Sequence, residues 1–271
     1  MNAAQVGTPG VSTDPGPAPS LRRPDTRPGS RGLLRHAATP VVLALVLAAL
    51  YWYVHGQPLD QFERRTLNRA YITRRVVEHI ELTAYVTGLV LLIAVPLGVL
   101  LSRRSARRAV PVVLALGNLG QAVPSIGVLI LLFLVLTDTG PATIAVIAFV
   151  AYAILPVLRN TMVGLRQVDA SAIEAARGMG MTRLAVLWRV ELPLAVPVIL
   201  AGVRTALVIS VGTVALATFI GAGGLGDIIE SGITSFRNIT LLTGAVLVAV
   251  LALLVDWIAG IAEELLRPRG L

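Results

Sequence analysis

Residues Glu174–Pro193 read EAARGMGMTRLAVLWRVELP and lie between two long apolar runs, Ala142–Leu158 and Leu194–Ile220. The stretch is a spaced pattern: Glu174-Ala175-Ala176, three residues, Gly180, nine residues, Val190, one residue, then Leu192-Pro193. Asp169 just ahead of it is suited to N-cap a helix starting at Ala170, its carboxylate accepting from free backbone N–H groups. Ala170, Ala172, Ala175 and Ala176 favour that helix and give it a thin surface that another protein can approach closely. Gly178 and Gly180 are placed to end it by adopting positive φ. Thr182 is placed to cap a second helix leading to Pro193. An ordinary capped hairpin between spans would explain the caps but not the whole spacing.

The rest of the chain sets this segment in a membrane. Of 271 residues 55% are hydrophobic and only 14% are charged, with mean hydropathy +0.79, whereas soluble domains carry about 25% charged residues. The composition reads as an all-α polytopic membrane protein. There is no cysteine, which excludes disulfides, thiolate metal sites and cysteine nucleophiles. Every one of the 23 basic residues is arginine. A net charge of +8 would suggest nucleic acid only if the apolar runs were ignored, and no nucleic-acid partner is expected.

Residues 1–36 are rich in Pro, Gly, Ser and Arg and are expected to form a disordered cytoplasmic tail with affinity for anionic lipid headgroups. Six runs are long enough to cross a bilayer, which takes roughly 17–25 apolar residues: Ala37–Val54, Leu82–Leu101, Val110–Leu136, Ala142–Leu158, Leu194–Ile220 and Ile239–Ala262. The first, 37–54, and the fourth, Ala142–Leu158, are the two shortest. Residues 55–81 form a loop in which Arg69–Glu81 reads as a short interfacial helix, and 267–271 form a short tail. With the N-terminus inside, sixteen arginines fall in cytoplasmic segments and six in outer ones. Excess positive charge inside therefore predicts both termini, and Glu174–Pro193, in the cytoplasm. The 55–81 loop runs against the trend with five arginines, partly balanced by Asp60, Glu63, Glu78 and Glu81.

Polar residues inside spans are costly and face a bundle interior or a water-filled path. Asn118, Gln121 and Ser125, spaced three and four apart around Pro124, predict one polar helical face. Interhelical bonding and lining of a transport path are equally good readings of it. Ser210 and Thr213 decorate the fifth span in the same way. Arg204 stands about 16 Å beyond Pro193 along a helix, and Asp256 enters from the same side to an overlapping depth, so the two are expected to pair. The alternative is separate snorkelling to the interface. Gly221–Ile233, GAGGLGDIIESGI, predicts a tight, flexible turn and not a phosphate loop, since no lysine follows and no strand precedes it. His36, His55 and His79 are expected outside the spans, without ligand-like spacing, so no metal is expected. No nucleophile–base set or carboxylate pair is present in a span, which argues against an enzyme.

The stretches PVLRNTMVGLRQVDASAIEAARGMGMTRLAVLWRVELPLAVPVILAGVRTA and TFIGAGGLGDII, together with QAVPS in the third span, resemble the permease subunits of ABC importers that carry an EAA loop. The closest likeness is to osmoprotectant permeases, which carry glycine betaine, choline, carnitine or proline betaine. It covers roughly 82–266, and Val190 stands where the family pattern has Ile. The GAGGLG segment recurs in methionine permeases. The resemblance implies a type I importer fold with a cytoplasmic coupling helix in 168–193, in which Glu174, Ala175, Ala176, Gly180, Leu192 and Pro193 contact a separate ATPase dimer. It implies as further partners a second permease subunit, the same or related, and an extracytoplasmic substrate-binding protein, in a bacterial cytoplasmic membrane. ATP and Mg would be bound by the ATPase, with no cofactor in this subunit.

Overall fold

The computed structural model describes residues 30–266, with side chains from Ala37. The first 29 residues of the expected tail, and the tail at 267–271, lie outside the described residues. Residues 30–36, read as part of that tail, instead form the opening turns of α1 (Ser30–His55).

A short capped helix, α2 (Gln61–Thr66), leads to α3 (Arg69–Ser102). At 34 residues, α3 is about 50 Å long, well beyond the roughly 30 Å of hydrocarbon in a bilayer. The Arg69–Glu81 segment is therefore the protruding start of this helix, with no break between them. After a single 3₁₀ turn come α4 (Val110–Ala122) and α5 (Ser125–Val135), then α6 (Pro141–Gln167) and α7 (Ala170–Gly178). A further helix, α8 (Arg183–Val186), passes through one π turn at Leu187–Glu191 into α9 (Leu192–Val214). A 3₁₀ turn at Ala215–Ile220, α10 (Gly226–Thr234) and α11 (Asn238–Leu266) complete the described chain. Among the described residues five helices are long and apolar enough to span a membrane, or six where the bent pair α4 and α5 counts as one broken span.

That break corrects the reading of Val110–Leu136 as one straight helix. The two halves are bent by 94°. Pro124 has no N–H to continue the ladder, and it disfavours the α conformation in the residue before it. Val123 is accordingly extended, at φ −77° and ψ 134°.

The core is built around α6. Buried residues on α3 recur every three or four positions, through Leu82, Val86, Val90 and Ala94, which makes the stripe of a helix packed on one side. The corresponding stripe on α9 runs Ala195, Ile199, Gly202, Ala206 and Val214. Glycines set how near these two helices come to α6. A Cβ at Gly98 would lie 2.7 Å from the Thr161 side chain, and one at Gly202 would lie 2.7 Å from Asn160. Close backbone approach of this kind is how helices gain packing energy in lipid, where apolar burial alone favours no partner. By contrast α1 buries only Leu43 and Val54 among its described side chains, and α4 buries nothing.

Candidate coupling segment and polar path

At one end of the bundle α6 gives way to α7. The Asp169 carboxylate accepts from the Ser171 N–H at 2.9 Å, capping α7, and this backbone bond holds the carboxyl below its ordinary range. The helix closes at Gly180, whose φ of +82° an L side chain rarely adopts; Gly178 remains helical. The N–H groups of Gly180 and Met181 donate back to the carbonyls of Arg177 and Ala176. Thr182 then caps α8 through the Ala185 N–H. Local chemistry alone thus defines a helix–turn–helix.

Its outward surface is open. Glu174 and Ala175 are exposed, while Ala176 is buried toward α8 and the π turn. Beside them stand three exposed apolar side chains, Met179, Leu184 and Trp188. Leu184 and Trp188 are four residues apart, hence neighbours on one helical face, and are 64% and 65% exposed. Exposed apolar side chains with exposed Glu174, Arg177 and Arg183 close by in sequence have the composition of a protein-docking surface. The sequence reading singled out neither Leu184 nor Trp188, although their spacing was a usable signal.

The segment returns to the bundle through Leu192, half-buried, and Pro193, exposed. Pro193 cannot donate to the carbonyl of Arg189, and the wider π turn falls where that bond is missing. Glu191 within this turn is buried, its side chain only 6% exposed, and Arg103 at the end of α3 grips it at 2.7 and 3.2 Å. Sequence reasoning missed this pair, since the partners are 88 residues apart.

The residues expected to line a path do not form one face. Asn118 accepts from Arg159 and Gln121 donates to the Tyr152 carbonyl at 3.1 Å, so both bond α6. Ser125 belongs to α5, across the 94° bend, which corrects its placement on the face of Asn118 and Gln121. On α9, Thr213 donates to the Ile209 carbonyl at 3.0 Å, and Ser210 is fully buried with its hydroxyl unpartnered. No hydrogen bond joins the α4 pair to the α9 pair among the described residues. Deeper toward the α7 end, Arg204 on α9 meets Asp256 on α11 through two bonds, Nε–Oδ1 at 2.5 Å and Nη2–Oδ2 at 2.6 Å. Glu263 stands 3.8 Å from the same guanidinium.

The opposite end of the bundle is held by groups the sequence reading left idle. Positive φ at Gly221, Gly223 and Gly224 folds the chain back onto α3. There Gly224 N–H donates to Glu78 at 3.3 Å and Leu225 N–H donates to His79 Nδ1 at 3.2 Å. The other ring nitrogen of His79 meets the Val211 carbonyl at 3.0 Å, and Arg75 bridges Glu78 and Asp227. His79 lies in the protruding Arg69–Glu81 start of α3 and is wholly buried there, and the glycine turn is pinned to it. No group of three or more potential metal ligands occurs among the described residues.

Comparison with known proteins agrees with this architecture. Residues 94–268 match the family model described as binding-protein-dependent transport system inner membrane component. The chain is 40% identical over 203 residues to the carnitine transport permease protein OpuCD of Listeria monocytogenes serotype 1/2a (strain 10403S), covering 74% of this chain and 89% of that one. It is 39% identical over 197 residues to the choline transport system permease protein OpuBB of Bacillus subtilis (strain 168), covering 73% and 89%. Among solved structures, an inward-facing MetNI methionine ABC transporter superposes with TM-score 0.65 at 25% identity, covering 73% of this chain and 96% of that one. The chain belongs to the binding-protein-dependent transport system inner membrane component family, as an integral membrane permease with the type I ABC importer fold.

Proposed function

We propose that this chain is the membrane subunit of an ATP-driven importer for quaternary ammonium solutes: glycine betaine, choline, carnitine or proline betaine. The observation that carries the importer reading is the open α7–α8 surface. It is shaped by its own caps, presents Glu174 and Trp188 outward, and leaves its docking face uncovered. Support for the solute class comes from relatives named for carnitine and choline, matched over 89% of their length.

In this reading an ATPase dimer binds ATP and Mg and docks on Glu174, Ala175, Ala176 and Gly180, with Leu192 and Pro193 returning the motion to the bundle. The path for that motion is short, because α8, the π turn and α9 are continuous. A push on α7 and α8 tilts α9, and Glu191 carries it to Arg103 and α3. The permease contributes no bond chemistry; it alternates between two exclusive openings. Asn118, Gln121, Ser125, Ser210 and Thr213 remain candidates for the path, and Arg204 with Asp256 would keep α9 and α11 moving together. The exposed apolar side chains of α4 and α5, including Leu116, Leu119, Leu131 and Leu134, suit a second permease subunit. An extracytoplasmic binding protein delivers the solute at the α10 end. Both termini and α7 then lie in the bacterial cytoplasm, as the arginine distribution favours.

The test is uptake of labelled glycine betaine and choline by cells lacking this gene, restored with the intact gene or with Glu174→Ala. Rescue by the intact gene alone is the expected result. Rescue by both would remove the coupling role, and rescue of methionine uptake instead would move the solute class.

A further inference from the structure

At the α7 end, a cavity of about 250 Å³ opens between the close of α3 and α6, lined by Ser102, Arg103, Arg104, Arg107 and Arg166. No carboxylate lines it. Arg103 is already neutralised by Glu191, and Ser102 donates its hydroxyl to the Val99 carbonyl at 2.7 Å. Arg104, Arg107 and Arg166 take no part in the ion pairs formed among the described residues. Three guanidinium groups thus line one small space, where a shared anion would relieve their mutual repulsion. Guanidinium is matched to phosphate oxygens through two parallel N–H bonds.

The surroundings decide which phosphate. Leu100 lies in the last turn of α3, just before Arg103 and Arg104, and Val163 lies one turn before Arg166 on α6. They are 58% and 43% exposed, on the two helices that flank the cavity. The arginines therefore sit at the boundary where exposed apolar helix surface ends and polar surface begins. An occupant that satisfies both sides carries a phosphate on long hydrocarbon chains. We propose that this cavity is a binding site for the phosphodiester headgroup of an anionic phospholipid, with the acyl chains lying along Leu100 and Val163. Arg104, Arg107 and Arg166 grip the phosphate, and Arg103 links the site to Glu191 at the root of the coupling segment. The proposal stands independently of which solute is carried.

The purified full-length chain would be exchanged into nanodiscs of phosphatidylcholine doped with phosphatidylglycerol, re-extracted, and assayed for retained phosphatidylglycerol by native mass spectrometry. The variants are the triple change Arg104→Gln, Arg107→Gln, Arg166→Gln, the single change Arg166→Gln, and a control pair, Arg64→Gln with Arg65→Gln, at the other end. Each arginine near a membrane surface contributes about fivefold, so the triple change should weaken retention roughly a hundredfold and the single change roughly fivefold. The control pair should retain lipid like the unaltered chain, and all should melt in detergent as monodisperse protein. Should the triple variant not survive purification, the single variant decides alone. Undiminished retention in the variants overturns the proposal. So does displacement of the lipid by millimolar inorganic phosphate, which would make the cavity a general anion site. Loss of ATPase capture with lipid retention unchanged would overturn it in favour of a protein contact.

Discussion

The two ends of this permease are made in opposite ways. At the α10 end a glycine turn is pinned to α3 by His79 and Glu78, Arg75 ties Glu78 to Asp227, and Arg237 reaches Asp60 at 2.6 Å. At the α7 end the helix–turn–helix is set by its own caps, buries only Ala176 of α7, and exposes Leu184 and Trp188. The first end is tied together by contacts between segments distant in sequence, whereas the second leaves apolar side chains exposed. The difference predicts that substitutions at the α10 end act on folding, and that those on the α7 surface act on coupling.

The strongest contrast lies in two glycines. A Cβ at Gly226 would stand 1.9 Å from the Ala215 carbonyl oxygen, so Gly226→Ala must displace backbone. Overpacking of this kind costs about 3 kcal/mol, seen as a large fall in the melting temperature in detergent. The same change at Gly178, helical with nothing within 4 Å of the added carbon, should raise stability by roughly 0.5–1 kcal/mol. Equal losses at both positions would erase the distinction between the ends.

Next in size is His79. Its ring accepts from the Leu225 N–H and contacts the Val211 carbonyl, so His79→Ala leaves the buried Leu225 N–H without this partner. The expected loss is about 2 kcal/mol, read as a lower melting temperature. A melt unchanged by this substitution would mean that the turn is held by its glycines alone.

A smaller effect is expected between the ends, at Arg204 and Asp256. Both side chains are partly exposed, and exposed pairs are weak, yet this one is bidentate and links two spans. A cycle of Arg204→Ala, Asp256→Ala and the double change should give a coupling of roughly 1 kcal/mol. Additive losses would show that the contact ties nothing together.

These features were not equally legible. The caps at Asp169 and Thr182 and the stop at Gly180 follow from residues within a few positions of one another, and they were read directly. The apolar runs likewise announce their helices, because a bilayer demands length and apolarity from the local sequence. Pro124 was harder. Pro96, Pro156 and Pro197 all lie inside continuous helices, so proline by itself does not predict a break. Those three helices carry buried stripes, but α1 also stays continuous through Pro40 while burying little, so burial alone does not decide where a proline breaks a helix. The least legible contacts join residues distant in sequence: Arg103 with Glu191, and His79 with Leu225. Nothing near His79 in the chain marks it as the post to which a glycine turn 146 residues away is tied.

The smallest expected effect on stability is the one that isolates function. Glu174 and Trp188 lie on the uncovered surface of α7 and the π turn, where a substitution removes little packing and opens no cavity. Glu174→Ala and Trp188→Ala should each shift stability by less than about 0.5 kcal/mol. The Asp169 and Thr182 caps are untouched, so the segment keeps its shape. A docking patch, however, concentrates its energy in central residues, and tryptophan is prominent among them. Removing Trp188 should therefore weaken capture of the ATPase subunit by at least tenfold, about 1.4 kcal/mol in binding, with the melt unmoved. Co-purification of the paired ATPase with each variant reads the binding, and thermal melting of the permease alone reads the fold. A variant that melts normally and fails to capture the ATPase separates coupling from stability at a single side chain. Should both variants capture it like the intact chain, the open surface at the α7 end would need another occupant.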